Sequence, residues 1–379
     1  MKKKLCYVLP NYDPLIAEHY FHIYEFLEDV SHLMDVFLVV ERAAKPPAFT
    51  AVKRTYVLRF ATFILGLLER LLTFTVIRLK GYRTFYVHQS YSSAIAASLV
   101  TRLLGGQTLY WHCGLKKEYM SRWALSWSAI RVKLLDDYAF LLSIRLVKFL
   151  VTGSETMRQY YATSFGLKRS KIKVMPNWVN LERFRPDEFK QPELRREMEL
   201  GANSKVVAFI HWLSPRKGTQ YLVRIFQEVS RQIPDVCFLI VGDGPYRETL
   251  EREIEENGLA ELVRLVGSVP NQEVAKYYAV ADLLIMPSDE EGFPRVLIEA
   301  MAMGVPFVAT DVGSVREMAT ERQNRYVVPK GDMAAFTDKL VSLLQDDKRR
   351  MELREDGLYR VQDYTKEKVV EIFTSEIVV

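Results

Sequence analysis

The sequence predicts an α/β protein with two doubly wound domains, in which helices cover both faces of a parallel sheet. With 379 residues the chain is longer than one ordinary hydrophobic core supports. Short apolar runs alternate with longer stretches of helical spacing, and this alternation occurs in both halves of the chain. We therefore expect two domains facing each other across a cleft, with ligands bound at the carboxyl ends of the strands.

The predicted strands are continuous apolar runs, as expected for parallel strands that are buried on both faces. Those of the first half read KLCYVL, MDVFLVV, RTFYVHQ, QTLYWH, FLVTGS and KIKVMP. Those of the second half read KVVAFIHWL, VCFLIVGDG, LVRLVGSV, DLLIMPS, PFVATDVG and RYVVP. The segments between them, such as GTQYLVRIFQEVSRQI and RETLEREIEENGL, have the spacing of amphipathic helices.

The domain boundary is predicted at a polar stretch that contains prolines and glycine. We expect a first Rossmann-like domain over residues 1–180, a linker over residues 181–204 and a second Rossmann-like domain over residues 205–355. A helical segment over residues 356–379 is expected to pack back on the first domain.

The composition is that of a globular protein, with 49% hydrophobic and 26% charged residues. The apolar run at the start is too short for a signal peptide, and no run of about 18 uncharged apolar residues predicts a membrane-spanning helix. The three cysteines, Cys6, Cys113 and Cys237, have no ligand spacing and are expected to be reduced thiols. These features favour a cytoplasmic protein.

The net charge of +5 hides an uneven distribution between the two halves. Residues 1–185 contain 27 Lys and Arg against 13 Asp and Glu, a net charge of +14, and the remainder carries −9. The basic half is expected to meet an anionic surface; the alternative is that it docks on the acidic half of the same chain. No nucleic-acid-binding motif accompanies the charge, so no nucleic-acid partner is expected.

A short apolar helix is predicted within DEEGFPRVLIEAMAMGVP, residues 289–306, and it contains a carboxylate. Pro294 suits the first helical position, and Gly304 suits the left-handed stop. Glu299 lies in the middle of the helix with apolar neighbours. Because an unpaired buried carboxylate is strongly destabilising, Glu299 needs a partner.

The start of this helix suits a phosphate, because it offers free N–H groups and the positive end of the helix dipole. Glu291 precedes that end, and Glu299 lies about 7.5 Å inside at ~1.5 Å per residue. A nucleotide sugar has these proportions, and its ribose diol would be the partner of Glu299. The alternative partner is an Arg or Lys of a neighbouring element in a buried ion pair.

Several ordered motifs surround this helix. The E-x7-E pattern from Glu291 to Glu299 is followed by AMAMGVPFVATDVGSVREM and preceded by WLSPRKG, IVGDGPYRETLE and GSVPNQEVAKYYAVADLLIMPS. VTGSETMRQYY and MPNWVNLERFRP stand before them. Together they resemble the motifs of the family-four retaining glycosyltransferases of the two-Rossmann B fold (GT-B). The resemblance implies a first domain that binds the acceptor and a second that binds a nucleotide sugar.

The resemblance also implies roles for residues of the second domain. Lys217 would hold the donor diphosphate, although a solvated loop lysine is the alternative. Glu299 would bind the ribose, and Glu291 would act as a catalytic residue on the transferred sugar. The remaining implied donor-binding residues are Val296 and Leu297 through their backbone N–H groups, Val269 near the base, and Arg216, Gly244 and Phe293.

In the first domain, His112 of YWHCG matches the family's His-Gly position beside the donor sugar, with Cys113 inserted between the two. The resemblance makes His112 the second catalytic candidate. A structural histidine that follows a strand is the alternative.

The sequence departs from the family pattern at two places. Trp212 occupies the position of a phosphate-binding Arg, which Arg216 could replace. The first loop, PNYDPLIAEH, lacks the family's pair of glycines, so we expect a different acceptor side. No Asp-x-Asp stands at a predicted strand end. We therefore expect no metal and no cofactor, with Lys217 and the helix end stabilising the leaving diphosphate.

Two segments of the basic half, residues 58–83 and 115–135, combine cations with large apolar groups. We expect the first to form ordinary core helix. The second is expected to lie in a membrane interface, because Trp together with Lys and Arg is typical of interfacial helices. Its predicted membrane and acceptor contacts are Lys116, Lys117, Trp123 and Trp127.

The sequence therefore predicts a metal-independent hexosyltransferase that moves a sugar from a nucleotide-diphosphate sugar to an acceptor hydroxyl, with the retention that the resemblance implies. The expected acceptor is a lipid or lipid-linked glycan at the cytoplasmic membrane face. The alternatives are another GT-B enzyme (an inverting transferase, epimerase or phosphorylase) and a non-catalytic protein that binds nucleotide sugars or membranes.

Overall fold

The computed structural model describes residues 2–13, 21–60, 63–116 and 127–379. The chain divides into two compact units. Unit 1 contains Met1–Pro176 and Glu367–Val379, and unit 2 contains Asn177–Lys366.

Unit 1 is built on a seven-stranded parallel sheet with the strand order β3-β2-β1-β4-β5-β6-β7. The sequence predicts six of these strands and misses β3. The four residues of β3, RTYV, are exposed or half-buried at the sheet edge and lack the continuous apolar pattern of the others. The strands are β1 (Lys4–Leu9), β2 (Asp35–Val40), β3 (Arg54–Val57), β4 (Thr84–His88), β5 (Gln107–Trp111), β6 (Phe149–Thr152) and β7 (Ile172–Val174).

Helices cover this sheet and complete the core of unit 1. Phe74, Phe85 and Phe140 are fully buried between the helices and the strands. The helices start at polar caps, as at Ser154, whose side chain accepts a hydrogen bond from the N–H of Met157. The described helices are α1 (Phe21–Leu33), α2 (Phe63–Leu79), α3 (Tyr91–Leu104), α4 (Trp127–Leu146) and α5 (Glu155–Phe165).

Unit 2 is built on a six-stranded parallel sheet with the strand order β10-β9-β8-β11-β12-β13. All six strands coincide with the apolar runs of the second half of the sequence. They are β8 (Lys205–Ile210), β9 (Val236–Val241), β10 (Val263–Gly267), β11 (Leu283–Met286), β12 (Phe307–Thr310) and β13 (Val327–Val328). Together the two parallel sheets confirm the predicted α/β class.

Eight helices of unit 2 flank its sheet in the described residues. One of them, α6, lies within the predicted linker, where Arg195 is buried and forms an ion pair of 2.9 Å with Asp282. This segment therefore packs on unit 2. The helices are α6 (Gln191–Glu197), α7 (Leu222–Ser230), α8 (Arg247–Glu256), α9 (Val274–Val280), α10 (Arg295–Ala302), α11 (Val315–Met318), α12 (Met333–Leu344) and α13 (Asp347–Arg360).

The chain ends with helix α14 (Lys366–Ile372) and a π-helical turn, Phe373–Ile377. Residues from Glu367 onward belong to unit 1. The ring of Phe373 is fully buried and packs edge-on against Tyr86, with 4.8 Å between the ring centroids. Within the described parts of the chain, no helix combines the length and the hydrophobicity that crossing a bilayer demands.

Candidate functional site

Three loops of unit 2, which follow β8, β9 and β11, form the candidate site at the carboxyl edge of the sheet. Two glycines let these loops approach closely. A Cβ atom at Gly218 (φ 78°) would lie 2.1 Å from the carbonyl oxygen of Pro287, and one at Gly244 (φ 158°) would lie 2.3 Å from that of Leu213. Both positions therefore require glycine, and Gly244 has a structural role in shaping the site.

A buried ion pair between Lys217 and Glu291 lies at the centre of the site. The ammonium of Lys217 is 2.7 and 2.8 Å from the two carboxylate oxygens of Glu291. Ser288 Oγ donates a further hydrogen bond of 2.9 Å to Glu291 Oε1. Both charged side chains are almost fully buried, at 5% exposure. The alternative of a solvated loop lysine is therefore excluded for Lys217.

His211, directly after β8, is the third partner of Glu291. Its Nε2 lies 3.0 Å from Glu291 Oε1, while its Nδ1 accepts a hydrogen bond from the N–H of Trp212. Since Nδ1 is an acceptor, the proton of the neutral ring is on Nε2 and is donated to the carboxylate. Burial and then the charge of Lys217 lower the pKa of His211 to about 4, so the ring is neutral at pH 7.

The electrostatics of the pair keep Glu291 ionised. Burial alone would raise the pKa of Glu291, but the charge of Lys217 and the hydrogen bond from His211 hold it well below its ordinary value. Burial also lowers the pKa of Lys217, which the charge of Glu291 opposes. The pair thus combines a fixed carboxylate with an ammonium that has one further N–H to offer.

Arg216 adjoins this pair on the exposed side of the loop. Its carbonyl oxygen accepts the N–H of Asp289 at 3.0 Å, which ties the β8 loop to the β11 loop. The Arg216 side chain is exposed, and its guanidinium has no ion-pair partner among the described residues. Its charge also lowers the pKa values of His211 and Lys217, which places it near both groups.

Glu299 is buried in α10, as predicted, but it has partners within the protein. Tyr278 of α9 donates a hydrogen bond of 3.1 Å to Glu299 Oε2, and Arg295 Nη2 lies 3.2 Å from Oε1. The expectation that a ligand supplies the missing partner is therefore corrected. The ion pair that the sequence left as the alternative is present, and it comes from one turn earlier in the same helix.

The other predicted donor-binding residues lie around the start of α10 and after β10. Pro294 is the N-cap of α10, and the N–H of Leu297 closes the first turn onto its carbonyl oxygen at 3.3 Å. The N–H of Leu297 thus has a partner within the first turn, and its contact with the donor phosphates stays a prediction. Val296 follows Arg295 in the first turn, and the buried Phe293 precedes the cap. Val269 lies two residues after the end of β10.

In unit 1, His112 directly follows β5, is half-buried and takes part in a hydrogen-bond network with Tyr161 and Gly114. Its Nδ1 lies 2.5 Å from the hydroxyl of Tyr161, which donates to the carbonyl oxygen of Gly114 at 2.9 Å. Because that hydroxyl gives its one hydrogen to Gly114, Nδ1 of His112 is the donor in their contact. Burial and then Lys116 lower the pKa of His112 to about 3, so the ring is neutral. Its contact with a donor sugar remains a prediction.

Lys116 does not fit the predicted membrane contact. Its side chain is buried and forms ion pairs with Asp136 and with Asp137, the latter at 3.5 Å. A cation that is desolvated and neutralised in this way is not available to a lipid headgroup. Lys117 and Trp123 lie outside the described residues. Trp127 is the first residue of α4, and its side chain also lies outside them.

Sequence reasoning did not single out four residues that organise these networks, namely His211, Ser288, Tyr278 and Tyr161. His211 and Ser288 both stand just after a predicted strand, and that position alone could have marked them. Tyr278 and Tyr161 lie on helices among other aromatic residues and carry no such signal. Among the described residues, no three His, Cys, Asp or Glu side chains converge on a point that could hold a metal ion.

The sequence is similar to those of known glycosyltransferases. The family model described as "Glycosyl transferases group 1" matches residues 190–358. The GDP-mannose-dependent alpha-(1-6)-phosphatidylinositol monomannoside mannosyltransferase of Mycolicibacterium smegmatis is 35% identical over 203 residues, which cover 52% of this chain and 53% of that protein. The D-inositol 3-phosphate glycosyltransferase of Corynebacterium urealyticum is 29% identical over 219 residues, 55% of this chain and 52% of that protein. The matches thus span about half of each relative.

Solved structures show the same fold over nearly the whole chain. Sucrose-phosphate synthase from Thermosynechococcus elongatus has a TM-score of 0.81 at 20% identity, and the match covers 98% of both chains. HepE of Anabaena in complex with UDP and glucose has a TM-score of 0.76 at 19% identity, again over 98% of both chains. The predicted resemblance and the predicted GT-B fold class are therefore confirmed.

Proposed function

We propose that this chain transfers a hexose from a nucleoside-diphosphate sugar to an acceptor hydroxyl, because residues 190–358 match the model of the group 1 glycosyl transferases and the fold is that of sucrose-phosphate synthase. The observation that carries the proposal is the buried pair of Lys217 and Glu291 at the carboxyl edge of the second sheet. Desolvation offsets much of the attraction in a buried ion pair, so this pair is weak evidence of a stabilising role, and charged groups with perturbed pKa values at such an edge are candidates for a functional site.

The donor diphosphate is proposed to bind between Lys217, Arg216 and the start of α10. Lys217 uses two of its three N–H groups on Glu291 and can give the third to a phosphate oxygen. The exposed guanidinium of Arg216 supplies a second cation, in place of the arginine that Trp212 replaces. The amino-terminal end of α10 adds the positive end of its dipole.

The proposed reaction is a substitution at the anomeric carbon of the sugar. The acceptor oxygen forms a bond to that carbon while the bond from the carbon to the diphosphate oxygen breaks. The acceptor's proton passes to the departing phosphate, so no protein base is needed. Lys217 and Arg216 stabilise the charge that grows on the diphosphate, without a metal ion. Retention of configuration rests on the resemblance alone.

In this proposal Glu291 and Glu299 hold the two ends of the donor. Glu291, kept ionised by Lys217 and His211, faces the positive charge that develops on the sugar ring. Glu299 accepts the ribose hydroxyls in addition to the hydrogen bond from Tyr278 and the ion pair with Arg295, since a carboxylate has four acceptor sites.

The proposed acceptor is a hydroxyl of an inositol-containing or other lipid-linked glycan at the cytoplasmic face of a membrane. Two relatives support this choice, because one is named for a phosphatidylinositol monomannoside and the other for inositol 3-phosphate. The net charge of +14 in residues 1–185 also suits an anionic surface. The nucleotide is proposed to be GDP or UDP, since GDP is named for the first relative and UDP is bound in the HepE structures.

A calorimetric screen of GDP-, UDP- and ADP-hexoses tests the proposal. We expect one donor class to bind, and Lys217→Ala to weaken the nucleoside diphosphate at least about tenfold while leaving the nucleoside unchanged. Lys348→Ala is the matched control, because Lys348 is an exposed lysine of the same unit. If no nucleotide sugar binds, or if both variants behave alike, the proposed donor site is wrong.

A further inference from the structure

Helix α2 of unit 1 turns an apolar face to solvent. Ile64, Leu68, Leu72 and Val76 recur every four residues along the helix, and all four are exposed, with Leu72 at 69%. Leu65 and Leu79 lie on the same side, seven residues or about two helical turns before and after Leu72, and Leu79 is 73% exposed. We call these six residues the α2 face. An outward helix surface of this composition is the reverse of the usual pattern in a globular protein.

The inward side of α2 fixes this orientation. Phe74 and Ile77 are buried in the core of unit 1. Glu69 is buried as well and accepts hydrogen bonds from the N–H groups of Arg59 and Phe60, each at 3.0 Å. Arg70 reaches inward too, where it forms an ion pair of 3.0 Å with Glu41. Glu69 and Arg70 thus have their partners on the inner side of α2. A rotation of α2 that buried its apolar face would break these contacts.

Exposed cations lie near both ends of α2 and α3, and acids are scarce in this part of the sequence. Between residues 59 and 104 the chain has a single acid, Glu69, which is buried. Arg78 donates hydrogen bonds to the carbonyl oxygens of Leu104 and Gly105, so the ends of α2 and α3 lie side by side. The exposed cations at the two ends of these helices are Arg59, Lys80, Arg83 and Arg102.

We propose that the α2 face docks unit 1 on an anionic lipid surface, with its leucines in the headgroup region and the flanking cations on lipid phosphates. The charge pattern favours lipid over a protein partner or a second copy of this chain, because the same basic rim would face itself across a symmetric dimer. The inference rests on the proposed function, since it names the surface through which the enzyme reaches a lipid acceptor. It also moves the membrane contact from residues 115–135 to residues 58–83, which were expected to be ordinary core helix.

Vesicle co-sedimentation with the full chain tests the inference. Vesicles of phosphatidylcholine alone, or mixed with phosphatidylglycerol, are compared at low and high salt. We expect wild type to bind the anionic vesicles and to be released by salt. Leu68→Ser/Leu72→Ser should lower the partition coefficient about tenfold or more, because both side chains leave water on docking. Both are exposed, so this variant is expected to fold.

Two matched variants separate the effect of the α2 face from the general effects of losing exposed apolar groups or of changing the net charge. Leu135→Ser/Tyr138→Ser removes two apolar groups of α4 whose exposure is similar to that of Leu68 and Leu72. Arg231→Glu/Lys348→Glu changes the net charge of unit 2, and Lys80→Glu/Arg83→Glu makes the same change in charge beside α2. We expect the α4 and unit 2 variants to bind vesicles like wild type. The Lys80→Glu/Arg83→Glu variant should lose the preference for anionic lipid.

The outcomes also separate this inference from the proposed function, because donor binding is measured on the same proteins. If Leu68→Ser/Leu72→Ser sediments like wild type, or if wild type ignores anionic vesicles while binding its donor, the docking surface is wrong and the enzyme proposal stands. If wild type is a dimer by light scattering and the same variant is a monomer, the face is a self-interface and the lipid proposal is wrong. Vesicle binding without donor binding supports the docking surface and contradicts the enzyme proposal.

Discussion

Replacement of Lys217 by methionine directly tests the buried ion pair of the candidate site. Methionine keeps most of the volume and removes the charge, which leaves Glu291 buried at 5% exposure without its ammonium partner. Loss of one member of a buried pair costs roughly 3–5 kcal/mol. Ser288 and His211 still donate to the carboxylate, so we expect the lower end, about 3 kcal/mol. For a unit of this size that is a fall in Tm of roughly 6–12 °C.

Differential scanning calorimetry without ligand measures this loss. Lys217→Met/Glu291→Gln should recover at least half of it, because the double variant no longer buries an unpaired charge. Arg224→Met is the matched control, since Arg224 forms an exposed pair of 3.1 Å with Glu228 that contributes little to stability. If Lys217→Met is as stable as wild type, or if the stability losses of the two substitutions simply add, the ion pair with Lys217 does not stabilise Glu291.

The pH dependence of this stability difference has a defined sign. In wild type the pKa of Glu291 is held below its ordinary value of 4.5, so its contribution to stability is present above pH 4.5 and is lost as the pH falls further. Without Lys217, burial raises the pKa of Glu291, and His211 also loses a neighbour that lowers its pKa. Both groups then take up a proton more readily in the folded variant. The deficit of Lys217→Met should therefore be largest near pH 7 and should shrink as the pH falls towards 5.

Three further predictions concern the same unit. Glu299→Ala should lower the free energy of unfolding by about 3 kcal/mol in urea denaturation, because Arg295 and Tyr278 lose their partner; a loss below about 1 kcal/mol would mean that the ligand is the main partner after all. Gly218→Ala should cost at least about 2 kcal/mol, since φ is 78° and the new Cβ would meet the carbonyl oxygen of Pro287; Gly258→Ala, at a similar φ of 67° but with open space around it, controls for the backbone strain and should cost less. EDTA should leave transferase activity unchanged, and a strict requirement for a divalent ion would contradict the proposed role of the cations.

The sequence predicts the architecture well because parallel strands buried on both faces leave a continuous apolar signal. Of the thirteen strands in the described parts of the chain, twelve carry that signal, and β3 lacks it because its side chains at the sheet edge remain partly in water. The candidate loops were predictable for a similar reason, since glycines such as Gly218 mark places where two backbones approach.

The partners of the charged residues could not be predicted, because they depend on contacts between distant parts of the chain. Glu299 bonds Tyr278, which is 21 residues away, and Glu291 bonds Lys217, which is 74 residues away. Lys116 looked like a surface cation in the sequence, but the fold buries it against Asp137. The apolar face of α2 was missed because sequence periodicity does not say which of two apolar sides of a helix faces the core.

Product analysis with the donor that binds best would show whether this chain transfers a hexose. Wild type, Lys217→Met and Lys348→Met are incubated with that nucleotide sugar and a lipid-linked acceptor, and the products are read by mass spectrometry and proton NMR. We expect wild type and Lys348→Met to add one hexose to the acceptor, release one nucleoside diphosphate per transfer and keep the anomeric configuration of the donor, whereas Lys217→Met should not transfer the sugar. Transfer by Lys217→Met at the wild-type rate, or donor cleavage without any glycosylated acceptor, would contradict this expectation.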